Sequence, residues 1–169
     1  MADPKTCTEA TAITDEHRRF EPFVGTFKAR VRIWTGPGEP HVSTGVMTNT
    51  LDLGGRYLKQ VYRGDAANGP FPGFEGRGFW GYNPVEQRYE GFWIDNASCV
   101  MQIDRGEVDA SGTVWTMIGE MSDPQSGGTI RKRSVITLQD RNRHTMEMYI
   151  KPPQGDEFKV MEIRYERAS

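Results

Sequence analysis

Residues 74–95, FEGRGFWGYNPVEQRYEGFWID, contain two strand-like segments joined by a turn. In residues 74–82 a face of aromatic and glycine residues alternates with Glu75 and Arg77, and a period of two is typical of a β-strand. Asn83 and Pro84 favour a turn, and a second strand is predicted at residues 88–94. We therefore predict an antiparallel hairpin in which two glycines on one strand face let the sheet bend or leave room for bulky neighbours.

The same alternation continues along most of the chain. Strands are predicted, in order, at residues 23–34, 42–53, 56–63, 74–82, 88–94, 98–108, 113–121, 129–138, 144–151 and 157–167. Capping residues from Thr14 onward predict a short helix that Pro22 ends. Long strands and short connections favour an all-β, up-and-down, lipocalin-like barrel of about ten antiparallel strands. Residues 1–13 are predicted to be a flexible tail, and 14–169 one barrel domain.

Composition excludes several other classes of protein. The chain has 169 residues, 19 of them glycine, and 11% aromatic residues, which suits one β-rich domain rather than a helical bundle. Its net charge of -2 argues against nucleic-acid binding, and no apolar run is long enough to cross a membrane. Two cysteines, Cys7 and Cys99, and the absence of a signal-like N-terminus predict a cytoplasmic protein.

Several short motifs carry a resemblance to a known family. Residues 23–27, FVGTF, resemble the LVGxW opening of lipocalin-like chains. The remaining motifs are 53–58 (LGGRYL), 81–84 (GYNP), 91–95 (GFWID) and 144–149 (HTMEMY). Together they resemble the bacterial domain-of-unknown-function family 1579 over about residues 14–166. The resemblance implies a calycin-like antiparallel barrel and no particular reaction, with a more distant similarity to nitrobindin-type haem barrels.

Methionine and aromatic residues in the strands predict the lining of a binding site. The predicted lumenal residues are Trp80, Trp93, Met101, Trp115, Met117, Arg133, His144, Met146, Met148 and Tyr165. Methionines and large rings often line sites for apolar ligands, so we expect a small apolar or amphipathic ligand in the barrel. The alternative is a structural barrel in which the same side chains form an ordinary filled core.

Charged residues in the later strands leave an enzymatic function open. They are Glu120, Glu147, Glu162, Arg131, Arg133 and Arg164. If some of them face the lumen, an Arg–Glu set could act on a carboxylate or carbonyl substrate. If they face outward, they are ordinary cross-strand pairs on a solvated sheet.

Cofactor and partner predictions rest on fewer residues. His144 precedes an apolar strand face and is either a haem ligand or a histidine bonded near a turn, and no other cofactor is expected. His17 and His41 form no metal-binding spacing with it. The glycines at 76, 78 and 81 match a dinucleotide fingerprint, but a strand rather than a helix follows them. Aromatic residues on the outer strand faces suggest a homodimer.

Overall fold

The computed structural model describes residues 11–65, 70–123 and 126–169. Helix α1 spans Asp15–Arg18, and 3₁₀ turns span Glu21–Phe23 and Leu53–Gly55. The strands are β1 Gly25–Ile33, β2 His41–Asp52, β3 Tyr57–Gly64, β4 Glu75–Asn83, β5 Arg88–Asp95, β6 Gln102–Val108, β7 Val114–Ser122, β8 Thr129–Asp140, β9 Arg143–Lys151 and β10 Phe158–Arg167.

Each strand pairs antiparallel with the next one in sequence, and β10 pairs with β1 to close the sheet. Alternation sets the two faces of every strand. In β1, for example, Phe27, Ala29 and Val31 are buried while Lys28 and Arg30 are exposed. The structure therefore confirms an all-β, closed, ten-stranded antiparallel barrel with a short N-terminal helix.

The predicted strand ends agree with the structure to about two residues, except at β6. This strand begins at Gln102 rather than Ser98, because a local turn occupies the residues before it. The Asp95 carboxylate accepts from the Ala97 backbone at 3.0 Å, and the Ser98 hydroxyl accepts from the Val100 backbone at 3.4 Å. Most of the predicted tail, residues 1–13, lies outside the described residues.

The N-terminal segment fills one end of the barrel, and we call this part of the interior the capped half. Its buried cluster consists of Phe20, Phe23, Leu58, Tyr89, Trp115, Met117 and Ile136. The rings of Phe23 and Trp115 meet edge to face with centroids 5.2 Å apart. The Tyr89 hydroxyl donates to the Glu16 carboxylate at 2.7 Å, which ties α1 to the barrel. Packing and hydrogen bonding together hold the cap in place.

An arginine at the end of β10 fastens the cap to the closing strands. The Arg167 guanidinium lies 4.5 Å from the centroid of the Phe27 ring and donates to the carbonyls of Pro22 and Val24 at 3.0 and 2.7 Å. Gly25 has a φ of +129°, and a Cβ there would overlap an Arg167 nitrogen. Glycine in the FVGTF motif is therefore required by both backbone conformation and space.

Candidate functional site

A second buried cluster lies beside the capped one and consists of Phe27, Ala29, Val31, Met47, Tyr62, Ile163 and Tyr165. The end of the interior away from the cap, which we call the open half, also has inward-facing side chains that are less completely buried. Its inward-facing side chains include Gln102, Asp104, Met121, Lys132, Met148, Met161 and Trp93. Trp93, Met148 and Met161 are half-buried although they face inward, whereas Trp115 in the capped half is completely buried. These three inward-facing side chains are therefore partly accessible to solvent.

An ion pair lies inside the open half. The Lys132 ammonium is 2.9 Å from Asp104 Oδ2 and donates to Gln102 Oε1 at 2.8 Å. The Lys132 side chain is 4% exposed and the Asp104 side chain 19% exposed. A cation and a carboxylate thus converge inside the barrel, and such a pair is stable only when each charge keeps its partner.

A glycine on the intervening strand makes this pair possible. Gly119 of β7 is in register with Asp104 of β6 on one side and with Lys132 of β8 on the other. A Cβ at Gly119 would overlap Asp104 Oδ1 and lie 2.7 Å from the Ile103 carbonyl. Because Gly119 has no side chain, the Lys132 chain can cross β7 and reach the carboxylate.

One oxygen of the pair has no partner. Asp104 Oδ1 is buried and accepts no hydrogen bond from any residue that the structure describes. The Lys132 ammonium has three protons, and the two contacts above account for two of them. A buried acceptor without a donor costs about 1–3 kcal/mol, so this site favours a molecule that brings one.

Glycines also set the orientation of the tryptophans. The Trp93 ring lies against Gly76 and Gly78 of β4, where a Cβ at Gly78 would be 2.8 Å from a ring carbon. Trp80 lies against Gly91 in the same way, at 2.7 Å. The Trp93 ring nitrogen donates to Asp95 at 3.0 Å. The rings therefore lie along the sheet, as the predicted role of the strand glycines requires.

The structure divides the predicted lumenal residues between the two halves. Trp93 and Met148 line the open half, whereas Trp115 and Met117 are core residues of the capped half. Met146 packs against both buried clusters. Trp80 packs on the capped cluster, and His144 and Tyr165 stack on each other beneath the cap.

Two predicted lumenal residues lie outside the barrel. Met101 is 56% exposed and precedes β6, in which Gln102 and Asp104 take the inward positions. Arg133 lies between the inward Lys132 and Ser134, so its side chain points outward. Its guanidinium is 2.5 Å from the Glu157 carboxylate. Both corrections follow from strand alternation.

The charged set predicted for an enzymatic lumen also lies on the outer surface. Glu120 and Arg131 are exposed cross-strand partners. Glu162 accepts from Arg164 at 2.9 Å, and Glu147 pairs with Lys159. The interior pair is instead Lys132 with Asp104, which sequence reasoning missed because the two residues lie on strands separated by β7. The glycines opposite Asp104, at 91 and 119, are the signal that could have identified it.

His144 is enclosed by aromatic rings. It stacks on Tyr165 with centroids 4.4 Å apart and meets Phe23 and Phe27 edge to face at 5.1 and 4.7 Å. Burial, and secondarily the positive charge of Arg167, lower the pKa of His144 to about 4. Three rings occupy the space that a macrocycle would need, so this arrangement does not fit an axial haem ligand.

These features define a closed ten-stranded β-barrel with a packed half and a half that holds a charged pair. The chain belongs to the family described as protein of unknown function (DUF1579), whose model matches residues 12–167. No match was found among curated proteins. Among the described residues, no helix is both long and apolar enough to span a membrane.

Three solved structures are similar to this chain at low sequence identity. The S-type phycobiliprotein lyase CPES from Guillardia theta superposes with a TM-score of 0.62 at 11% identity, covering 98% of this chain and 99% of that one. A redesigned β-barrel, b11L5F_LGL, gives a TM-score of 0.47 at 12% identity, covering 90% and 96%. The barrel EF1p2_mFAP2b bound to DFHBI gives 0.43 at 10%, covering 90% and 99%. At these identities the similarity concerns the fold alone.

Proposed function

We propose that the protein binds a small amphipathic molecule in the open half of the barrel. The observation that carries this proposal is the buried Asp104 Oδ1, which has no donor among the described residues and lies beside the Lys132 ammonium. A hydroxyl or amine on the ligand would supply that donor. The mouth of a β-barrel is also a common position for a ligand site.

The surroundings of the ion pair specify the rest of the ligand. Trp93, Met148 and Met161 offer half-buried apolar surface in the same half of the interior. Methionine side chains adapt to varied apolar shapes, and a tryptophan ring offers a flat apolar face. A hydroxyl could donate to Asp104 and accept the third proton of Lys132. We therefore favour an alcohol or amine on a short apolar body.

Decan-1-ol and its donor-free analogue 1-methoxynonane form a pair of probes for this site. Each would be titrated against the fluorophore N-phenyl-1-naphthylamine bound to the protein. We expect the alcohol to displace the dye at about tenfold lower concentration than the ether, because a charge-assisted hydrogen bond contributes about 1.5–3 kcal/mol before the losses of binding. Dye binding itself would be followed by energy transfer from tryptophan.

Two variants separate the site from general hydrophobic binding. Asp104→Asn should remove the preference for the alcohol, because the neutral amide is a weaker acceptor. Glu120→Gln changes an exposed carboxylate on the neighbouring strand and should keep the preference. Equal displacement by the two probes in the wild type, or no dye binding at all, would contradict the proposal.

We also propose that the outer surface of β4–β6 associates with a second copy of the chain. Phe79, Phe92 and Ile103 are in direct register across these strands, and the two phenylalanine rings stack with centroids 5.5 Å apart. Light scattering should give the dimer mass, and Phe92→Ser should give the monomer mass.

The exposed free thiol of Cys99 is compatible with the reducing cytoplasm, where we propose the protein acts.

A further inference from the structure

A cleft of about 630 Å³ lies at the capped end, on the side of the cap away from the open half. It is formed by α1 and the residue that follows it, the β8–β9 turn and the end of β10. Four of its lining residues are arginines, Arg18, Arg19, Arg141 and Arg167, and two are acidic, Asp15 and Glu21. The whole chain has a net charge of -2, so this cleft concentrates positive charge on an acidic protein.

Two of the arginines are neutralised by carboxylates of the same segment. Arg18 Nη1 lies 2.5 Å from Asp15 Oδ1, and Arg19 Nε lies 2.9 Å from Glu16 Oε2. Gly112, with a φ of +72°, forms the wall beside Arg19, and a Cβ there would overlap the guanidinium. These two pairs line the cleft, and they do not neutralise the charges of Arg141 and Arg167.

Arg167 is held by carbonyl groups instead. Its Nε and Nη2 donate to the Arg141 carbonyl at 2.9 and 2.6 Å, and its other bonds go to the Pro22 and Val24 carbonyls described above. Four of its five N–H donors are thereby used, and one Nη1 proton is left. No carboxylate among the described residues forms an ion pair with it. Its orientation is fixed while its charge is not neutralised.

Arg141 is the second cation of the cleft that has no carboxylate partner among the described residues. It is exposed, and the two bonds from Arg167 to its own carbonyl hold the turn that carries it. Glu21 is the only lining carboxylate that these contacts leave without a cation in the described residues. Pro22 and Leu138 add apolar surface. The β8–β9 turn and the end of β10 therefore place two guanidinium groups at one cleft.

We propose that this cleft binds a small oxyanion, a carboxylate or a phosphate, through Arg141 and Arg167. A guanidinium fork matches both groups in a bidentate geometry, and such charge-assisted bonds are strong. The proposal is independent of the ligand in the open half, because the cap separates the two sites.

Calorimetric titration at low ionic strength with pyrophosphate and with succinate tests it. The two probes distinguish a phosphate from a carboxylate preference. We expect one probe to bind at one site per chain, and about 0.5 M salt to weaken this binding, since exposed charges are screened. Arg141→Gln should weaken it about tenfold, and Arg141→Lys should weaken it less because the charge remains.

Arg131→Gln is the matched control, because Arg131 is an exposed arginine at the opposite end of β8 and lies outside the cleft. It should bind the probe as the wild type does. Equal losses in Arg131→Gln and Arg141→Gln would show a general charge effect and overturn the proposal. So would the absence of binding by both probes. Thermal unfolding of each variant would establish that the compared proteins are folded.

Discussion

The capped and open halves of this barrel are built from the same ten strands but differ in how completely side chains fill the interior. In the capped half, Phe20 and Phe23 of the N-terminal segment fill the end, and the residues they contact are almost completely buried. In the open half, the buried cluster contains no described residue from the N-terminal segment, and Lys132 and Asp104 take inward positions. The difference teaches that the N-terminal segment completes the core at one end, whereas at the other end the strands alone form a buried cluster and also hold a charged pair.

The largest effect on the free energy of unfolding is expected when two methionines are compared, one in each half. Met117 is 1% exposed in the capped cluster, whereas Met148 is half-buried in the open half. Met117→Ala should lower the free energy of unfolding by about 4 kcal/mol, since it leaves a cavity in tightly packed surroundings. Met148→Ala should cost about 1 kcal/mol. Urea unfolding would measure both, and equal losses would contradict the distinction between the halves.

The next effect tests the interior ion pair. Lys132→Met should lower the free energy of unfolding by about 3 kcal/mol, because Asp104 then remains charged and largely buried without its partner. Adding Asp104→Leu should recover much of that loss, since the unpaired charge is then gone. Chemical denaturation of the two variants would measure this. A double variant no more stable than the single one would show that Asp104 is adequately solvated through the open end.

A pH effect is expected from the capped half. The pKa of His144 is about 4 in the folded protein and about 6.5 when unfolded, so the unfolded state binds more protons between these values. The free energy of unfolding therefore keeps its full value above pH 6.5. It falls as the pH is lowered towards 4, because protonation of His144 favours the unfolded state. Between pH 6.5 and 5 the loss should be about 2 kcal/mol.

Urea unfolding at several pH values would check this dependence. His144→Phe should remove that part of the slope, because no proton is then bound at this position. His41→Gln, a change on the exposed start of β2, should keep the wild-type slope. If His144→Phe has the wild-type slope, another group is responsible.

The smallest effect is expected just outside the barrel wall. Arg133 follows Lys132 in β8 but points outward, where it pairs with Glu157 and lies over the Tyr149 ring at 4.1 Å. Arg133→Met should change the free energy of unfolding by less than about 1 kcal/mol, as is usual for surface pairs. Comparing Arg133→Met with Lys132→Met in the same unfolding assay isolates the effect of burial on the free energy of unfolding at two adjacent positions. Equal losses would mean that burial is not the decisive difference.

The fold could be predicted because the features that indicate it are found in short stretches of neighbouring residues. Alternation, turn residues and the glycines on one face of residues 74–82 each depend on neighbours in sequence, and they predicted the strands but not which face of each strand points inward. Closure of the sheet was predicted from long strands and short connections. The start of β6 was the exception, because its alternation begins before the chain leaves the preceding turn.

The candidate site could be predicted only in part, because it depends on contacts across strands. Trp93 and Met148 were identified by residue type. Lys132 and Asp104 were not, since a charged residue in an alternating strand is equally compatible with either face until the register of its neighbours is known. Gly119 acquires its meaning only when both strands beside it are known. Register depends on how two strands pair in the folded sheet, and it is difficult to read from a single sequence.

Closure of the barrel by β1 and β10 has a consequence for folding. The first strand pairs with the last, so Phe27 is joined to Arg167 across nearly the whole described sequence. Until β10 is available, β1 keeps an unpaired edge that could pair with another chain. Strand pairs between residues that are far apart in sequence form slowly during folding. Pairing with β10 is therefore the step that removes this unpaired edge of β1 during synthesis.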